Sequence, residues 1–73
     1  MFLFKKEKEV VELILKHLNL IVESLESGLK TIEFYLDDNI SDAKVWARKT
    51  RSDESEADLI RHEIRDKLYL GAY

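Results

Sequence analysis

Apolar residues recur at Val11, Leu15, Leu18, Val22, Leu25, Leu29, Ile32 and Leu36, in steps that alternate four and three. That is the 3.5-residue period of a helix packing along a partner. The pattern runs unbroken from about Lys5 to Asp37, and at 1.5 Å per residue such a helix is roughly 50 Å long. Nothing in the chain favours an alternative. There is no proline, and the two glycines are Gly28 and Gly71. A sheet of this size needs several turns, and turns draw on Gly, Pro and Asn. A single turn-like cluster occurs, Asp37-Asp38-Asn39-Ile40-Ser41-Asp42. All-β and α/β folds are excluded, and the fold class is all-α.

Beside the first seam lies a second column at Ile14, Ile21 and Tyr35, with Gly28 in the same seven-residue ladder. Leu13, Leu20 and Phe34 flank that column in turn. So wide an apolar face calls for at least two neighbours. The second segment, about Ser41 to Tyr69, repeats the period with a weaker seam: Ala43, Trp46, Thr50, Asp53, Ala57, Ile60, Ile64 and Leu68. Its last step, of four, breaks the alternation. Ser41 is the expected N-cap, with Asp42 favourable in the first turn. A short polar connection suits antiparallel helices, and Gly71 is a natural stop. The spacing predicts one long antiparallel helical hairpin over residues 1–73, with a helix about 5–37, a turn about 38–41 and a helix about 42–69.

Two helices are too few to bury that face. Chains below roughly 70–80 residues need a disulfide, a metal, oligomerisation or unusually good packing. Cysteine is absent, so disulfides, thiolate nucleophiles and Cys-type zinc sites are excluded. Met1 reads as a native start, whereas Leu70 and Tyr73 close the chain with apolar residues that have nothing to pack on. The expectation is a hairpin completed either by further C-terminal helices or by self-association, with a dimeric four-helix bundle the simplest closed form. Leu18, Val22, Leu25 and Leu29 are its expected centre. The net charge of −3 argues against a nucleic-acid partner. No segment has the length and hydropathy of a membrane span, and Met1-Phe2-Leu3-Phe4 is too short for a signal core. A cytoplasmic location fits.

Charge in the second helix is blocked. Lys44, Arg48, Lys49 and Arg51 make its first half basic, and Asp53-Glu54-Ser55-Glu56-Ala57-Asp58 follows with four carboxylates in six residues. At 100° per residue and with Ala57 at zero, Asp53 falls at about −40°, inside the seam, Glu54 at about +60° and Asp58 at about +100°. Glu54 and Asp58 are like charges one turn apart, which is unfavourable without compensation. A hard cation such as Mg, Mn, Ca or oxidised Fe compensates such a pair, and helical bundles build carboxylate metal sites in this way. His62 then adds a nitrogen. The competing reading is a solvated acidic face with Asp58 paired to Arg61 and Arg65. Asp53, a carboxylate at a seam position, needs a basic partner, a polar cavity or a metal. His17 reads as a boundary histidine and Trp46 as core. No nucleophile–base constellation or phosphate loop is present, and the chain is not expected to be an enzyme.

Three stretches carry a resemblance. Phe2-Leu3-Phe4-Lys5-Lys6-Glu7 opens the long helix; Glu54-Ser55-Glu56-Ala57-Asp58-Leu59-Ile60-Arg61-His62-Glu63-Ile64 forms the acidic centre; and Leu68-Tyr69-Leu70-Gly71-Ala72-Tyr73 closes the chain. In this order they resemble the first two helices of the PhoU-like phosphate transport regulators, small proteins paired with Pit-type inorganic phosphate permeases. The resemblance implies an all-helical bundle of two three-helix repeats, of which this chain holds the N-terminal two-helix portion. It implies a metal-ligating acidic signature that falls on Glu54 and Asp58, with Asp53 beside it, and a metal ion (Fe, Mn, Mg or Zn) as cofactor. Ser55 stands where such proteins often carry histidine, and the second repeat with its own acidic motif is absent. The implied function is a non-enzymatic accessory of phosphate transport, cytoplasmic or held at the membrane through a permease. The alternative is a ligand-free helical hairpin that self-associates.

Overall fold

The structure, a computed structural model, describes residues 5–69. The opening Phe2-Leu3-Phe4, the closing Leu70 to Tyr73 and the expected stop at Gly71 lie outside the described residues. Two helices, α1 (Lys5–Leu36) and α2 (Ile40–Tyr69), form an antiparallel hairpin, with no strand among the described residues. The molecule measures 53 × 23 × 11 Å. Its smallest dimension is about one helix diameter, so the fold is a single layer.

The turn closes both helices at once. Asp38 takes the left-handed conformation, with φ 60°. Its N–H donates to the Tyr35 carbonyl at 3.1 Å, and the Asn39 N–H donates to the Phe34 carbonyl at 2.8 Å. These are the paired bonds of a Schellman ending, with aspartate in the place glycine usually takes. Asn39 then begins α2. The Asp42 N–H donates to Asn39 Oδ1 at 3.3 Å, and Asn39 Nδ2 donates to Asp42 Oδ2 at 2.7 Å. The N-cap is therefore Asn39, two residues before the expected Ser41. Asn39 reaches the N–H three residues on while its amide holds the Asp42 carboxylate, leaving Ser41 inside the first turn.

The seam between the helices differs from the expected one on α1. The residues turned toward α2 are Val10, Leu13, His17, Leu20, Ser24, Ser27, Thr31 and Phe34, again in steps of three and four. The richer ladder from Val11 to Leu36 faces away, and Leu25 is 65% exposed. On α2 the expected seam holds from Ala43 to Ile64, and Lys67 rather than Leu68 continues it, which restores the alternation.

The physical reason lies in α2. Half of its seam is polar or small, and it mates with the half-polar strip of α1; leucines pressed on Asp53 and Lys49 would desolvate that charged pair. Thr31 and Thr50 bond the carbonyls of Ser27 and Trp46 one turn back, both at 2.9 Å. No buried side-chain nitrogen or oxygen lacks a partner among the described residues. The apolar core is confined to one end, where Leu20, Ala57 and Ile60 pack with Leu13 and Ile64.

The hairpin consequently has two unlike sides. One is laced by charge between helices: Lys67 Nζ stands 3.4 Å from Glu9, Lys49 Nζ 3.6 Å from Glu23, and Lys30 Nζ lies 4.6 Å over the Trp46 ring. The other carries the exposed apolar residues of α1 beside a charged edge of α2.

Candidate functional site

Glu54 and Asp58 come together on that second side. They line an open groove between the helices with His17, Ile21, Ser24, Leu25, Ala57 and Arg61. The groove continues toward the turn past Gly28, Leu29, Ile32 and Thr50. One turn of helix separates the two carboxylates, and the apolar side chains opposite come from α1.

Asp58 is the more engaged of the pair. Arg61 donates to its Oδ1 from both Nη2, at 2.7 Å, and Nε, at 3.2 Å, and His62 Nε2 stands 3.6 Å from Oδ2. The Arg61 bond holds the Asp58 carboxyl below its ordinary value, outweighing partial desolvation that acts the other way. The partners are thus Arg61 and His62.

Asp53 does not share this groove. It turns into the seam, where it is buried, and accepts a bond from Lys49 Nζ at 2.9 Å. Of the three outcomes open to a seam carboxylate, the structure takes the basic partner. Lys49 also reaches Glu23 of α1, so one ammonium ties both helices. Asp53, as the stronger partner, raises the Lys49 pKa above its ordinary 10.5.

His17, expected as a boundary histidine, has the intermediate burial of one. It sits half-buried in the seam and lines the groove across from Glu54 and Asp58. Its signal was present: His17 shares a seven-residue ladder with Val10, Ser24 and Thr31. Glu23 and Glu26 of α1 line the opposite side with Lys30 and Trp46.

Two carboxylates with a histidine across the groove can accept hydrogen bonds or contribute part of a cation's shell. A hard cation takes six or more oxygens. Among the described residues, no group of three or more His, Cys, Asp or Glu side chains is gathered closely enough to hold a metal ion. No helix among them is long and apolar enough to cross a membrane.

No protein-family model matches the chain, and no solved structure matches it. Among curated proteins it is 33% identical over 69 residues to a UPF0111 protein of Thermotoga maritima. It is 35% identical over 68 residues to a UPF0111 protein of Pyrococcus horikoshii. The matches take in 94% and 93% of this chain and 32% of each relative. This chain is therefore similar, over nearly all of its length, to about a third of a UPF0111 protein.

Proposed function

We propose that this chain is a non-enzymatic, PhoU-like accessory of inorganic phosphate transport that works by helix-mediated contact in the cytoplasm, at or near a phosphate permease. The observation that carries the reading is the acidic stretch from Glu54 to Asp58, which resembles the PhoU-like signature and lines the groove beside the open apolar face. Whatever covers that face also closes over the two carboxylates. Glu54 and Asp58 are the residues that would hold a metal ion, with the remaining ligands supplied by the covering element. Asp53 is committed to Lys49 and supports the seam beneath them.

The test is co-expression with a Pit-type permease. Recovery of the chain with the permease from detergent-solubilised membranes, with phosphate uptake altered when the chain is removed, is the expected result. No co-purification together with unchanged uptake would reject the reading. Metal involvement is checked separately by melting with and without manganese or iron. Glu54→Gln with Asp58→Asn abolishes a metal-dependent rise, whereas for a solvated pair the double change is neutral or slightly stabilising. The second reading, a ligand-free module that acts only through its apolar face, is favoured if no metal effect and no permease contact are found.

A further inference from the structure

We infer that two copies of this chain pair through the open side of α1, about a two-fold axis running along the helices, so that the two α1 helices lie parallel. This goes beyond the transport reading and does not depend on it.

The first support is area. Between Val11 and Leu36, eleven large apolar side chains of α1 are 39 to 75% exposed. Together they present on the order of 1,000 Å², well above the few hundred of an ordinary monomer surface patch. The hairpin exposes 6011 Å² in all, against about 4,700 Å² for a folded monomer of its 8.6 kDa mass. Covering the patch on two copies removes about 2,000 Å², at the upper end of what standard stable interfaces bury.

The second support is Gly28. Glycine inside a helix is less favourable than alanine, and a Cβ at Gly28 would meet nothing within 4 Å in the hairpin. The hairpin itself has no use for the missing side chain. Gly28 shares its ladder with Ile14, Ile21 and Tyr35, the row of the open face nearest α2. A helix seated over the groove between α1 and α2 approaches along that row, and there a glycine permits close contact.

The third support fixes the direction. The open face is bordered on the α1 side by Glu12, Asn19, Glu26 and Glu33; on the α2 side, outside Glu54 and Arg61 of the groove, runs the row Lys44, Arg51, Asp58 and Arg65, each row at seven-residue spacing. The cross-helix pairs Glu9–Lys67 and Lys30–Trp46 set the heights. On that ladder, to within one residue, Glu12 is level with Arg65, Glu26 with Arg51 and Glu33 with Lys44. Asn19, the one uncharged member of the acidic border, is level with Asp58, the one acid of the basic border. A two-fold axis along the helices lays one copy's acidic border beside the other's basic border at matched heights. An axis across the helices would lay acid on acid. The aliphatic stems of the arginines then cover the leucines of the partner's outer row while their heads reach the glutamates.

The chain has no cysteine, which makes cross-linking a direct test. Ile14→Cys and Tyr35→Cys, each alone, should form a disulfide with its own copy, because parallel helices bring equal numbers together. Sedimentation equilibrium of the wild type at micromolar concentration should give a dimer. Leu25→Asp should weaken it by a hundredfold or more. Glu26→Lys and Arg51→Glu should each weaken it about tenfold, and the double variant should recover most of the loss. Gly28→Ala should weaken the dimer while raising the melting temperature of dilute hairpin. A monomeric wild type would overturn the inference and assign the face to a different chain. Cross-linking only in a mixture of the Ile14→Cys and Tyr35→Cys variants would overturn it as well, since that pattern requires antiparallel helices.

Discussion

The two sides of α1 are unlike in a way that inverts the usual expectation. The side closed by α2 carries two serines, a threonine and a histidine among its apolar residues, while the open side carries nearly all of the large aliphatics. Within the hairpin, Ser27 is the most buried residue at 2% exposure. The difference teaches that the contact inside this chain is not its main hydrophobic contact. Small and polar seam residues, with Thr31 and Thr50 bonded one turn back on their own helices, let the two helices register through Lys49, Asp53 and Glu23. The area that drives association is left on the far side.

The comparison breaks most directly at the apolar end of the seam. Ile60→Ala should cost about 2–5 kcal/mol, the usual range for a buried aliphatic truncation, and the cost should not depend on protein concentration. Leu25→Ala should cost less than about 0.5 kcal/mol in dilute hairpin, as exposed substitutions do. Its cost should grow with concentration as copies associate. Thermal melts over a hundredfold concentration range separate the two. Equal, concentration-independent losses would mean that the two sides do not differ.

At the polar end of the seam, Lys49→Met should destabilise the hairpin by leaving the buried Asp53 carboxylate unpaired. Adding Asp53→Leu should recover that loss, because an apolar pair needs no counter-charge. A double variant no better than the single would show that the ion pair itself holds the register. Urea titrations of the three proteins read this out.

Smaller effects sit in the turn, which caps both helices. Asn39→Ala should cost about 1 kcal/mol through loss of the cap. Asp38→Gly should stabilise by about 0.5 kcal/mol, because glycine carries no Cβ penalty at positive φ. Both are measured by thermal melting. Opposite signs from these would mean that Asn39 does not cap α2 and that Asp38 is not strained at its positive φ.

The smallest expected effect is electrostatic. The Asp58 carboxyl lies below its ordinary 3.8 because of Arg61. Its contribution is therefore present above pH 3.8 and fades as pH falls through the lower folded value. Arg61→Gln should flatten that acid-side dependence and leave stability near neutral pH almost unchanged, since the pair is exposed. An unaltered acid-side slope in the variant would show that Arg61 does not control Asp58.

Much of this architecture is determined locally. The helical period, the lack of proline and the lone turn cluster leave a two-helix hairpin as the fold, because helix formation and chain reversal depend on neighbours in sequence. The α2 seam was legible from Ala43 to Ile64 for the same reason. Glu54 and Asp58 were legible as a pair because residues one turn apart share a face whatever surrounds them.

Three things were decided only by tertiary packing. The face of α1 that meets α2 could not be read from hydropathy, since the most apolar seam is not the one that matches a polar partner helix. Asp53 had three possible fates in the sequence; its Lys49 partner lies one turn away on the same helix, and the pairing of the two helices added Glu23 to that ammonium. His17 joined the groove because chain reversal brings its turn of α1 level with Asp58. A helix's own sequence determines which residues share a face; only the partner, with its own charges and small residues, decides which face is closed.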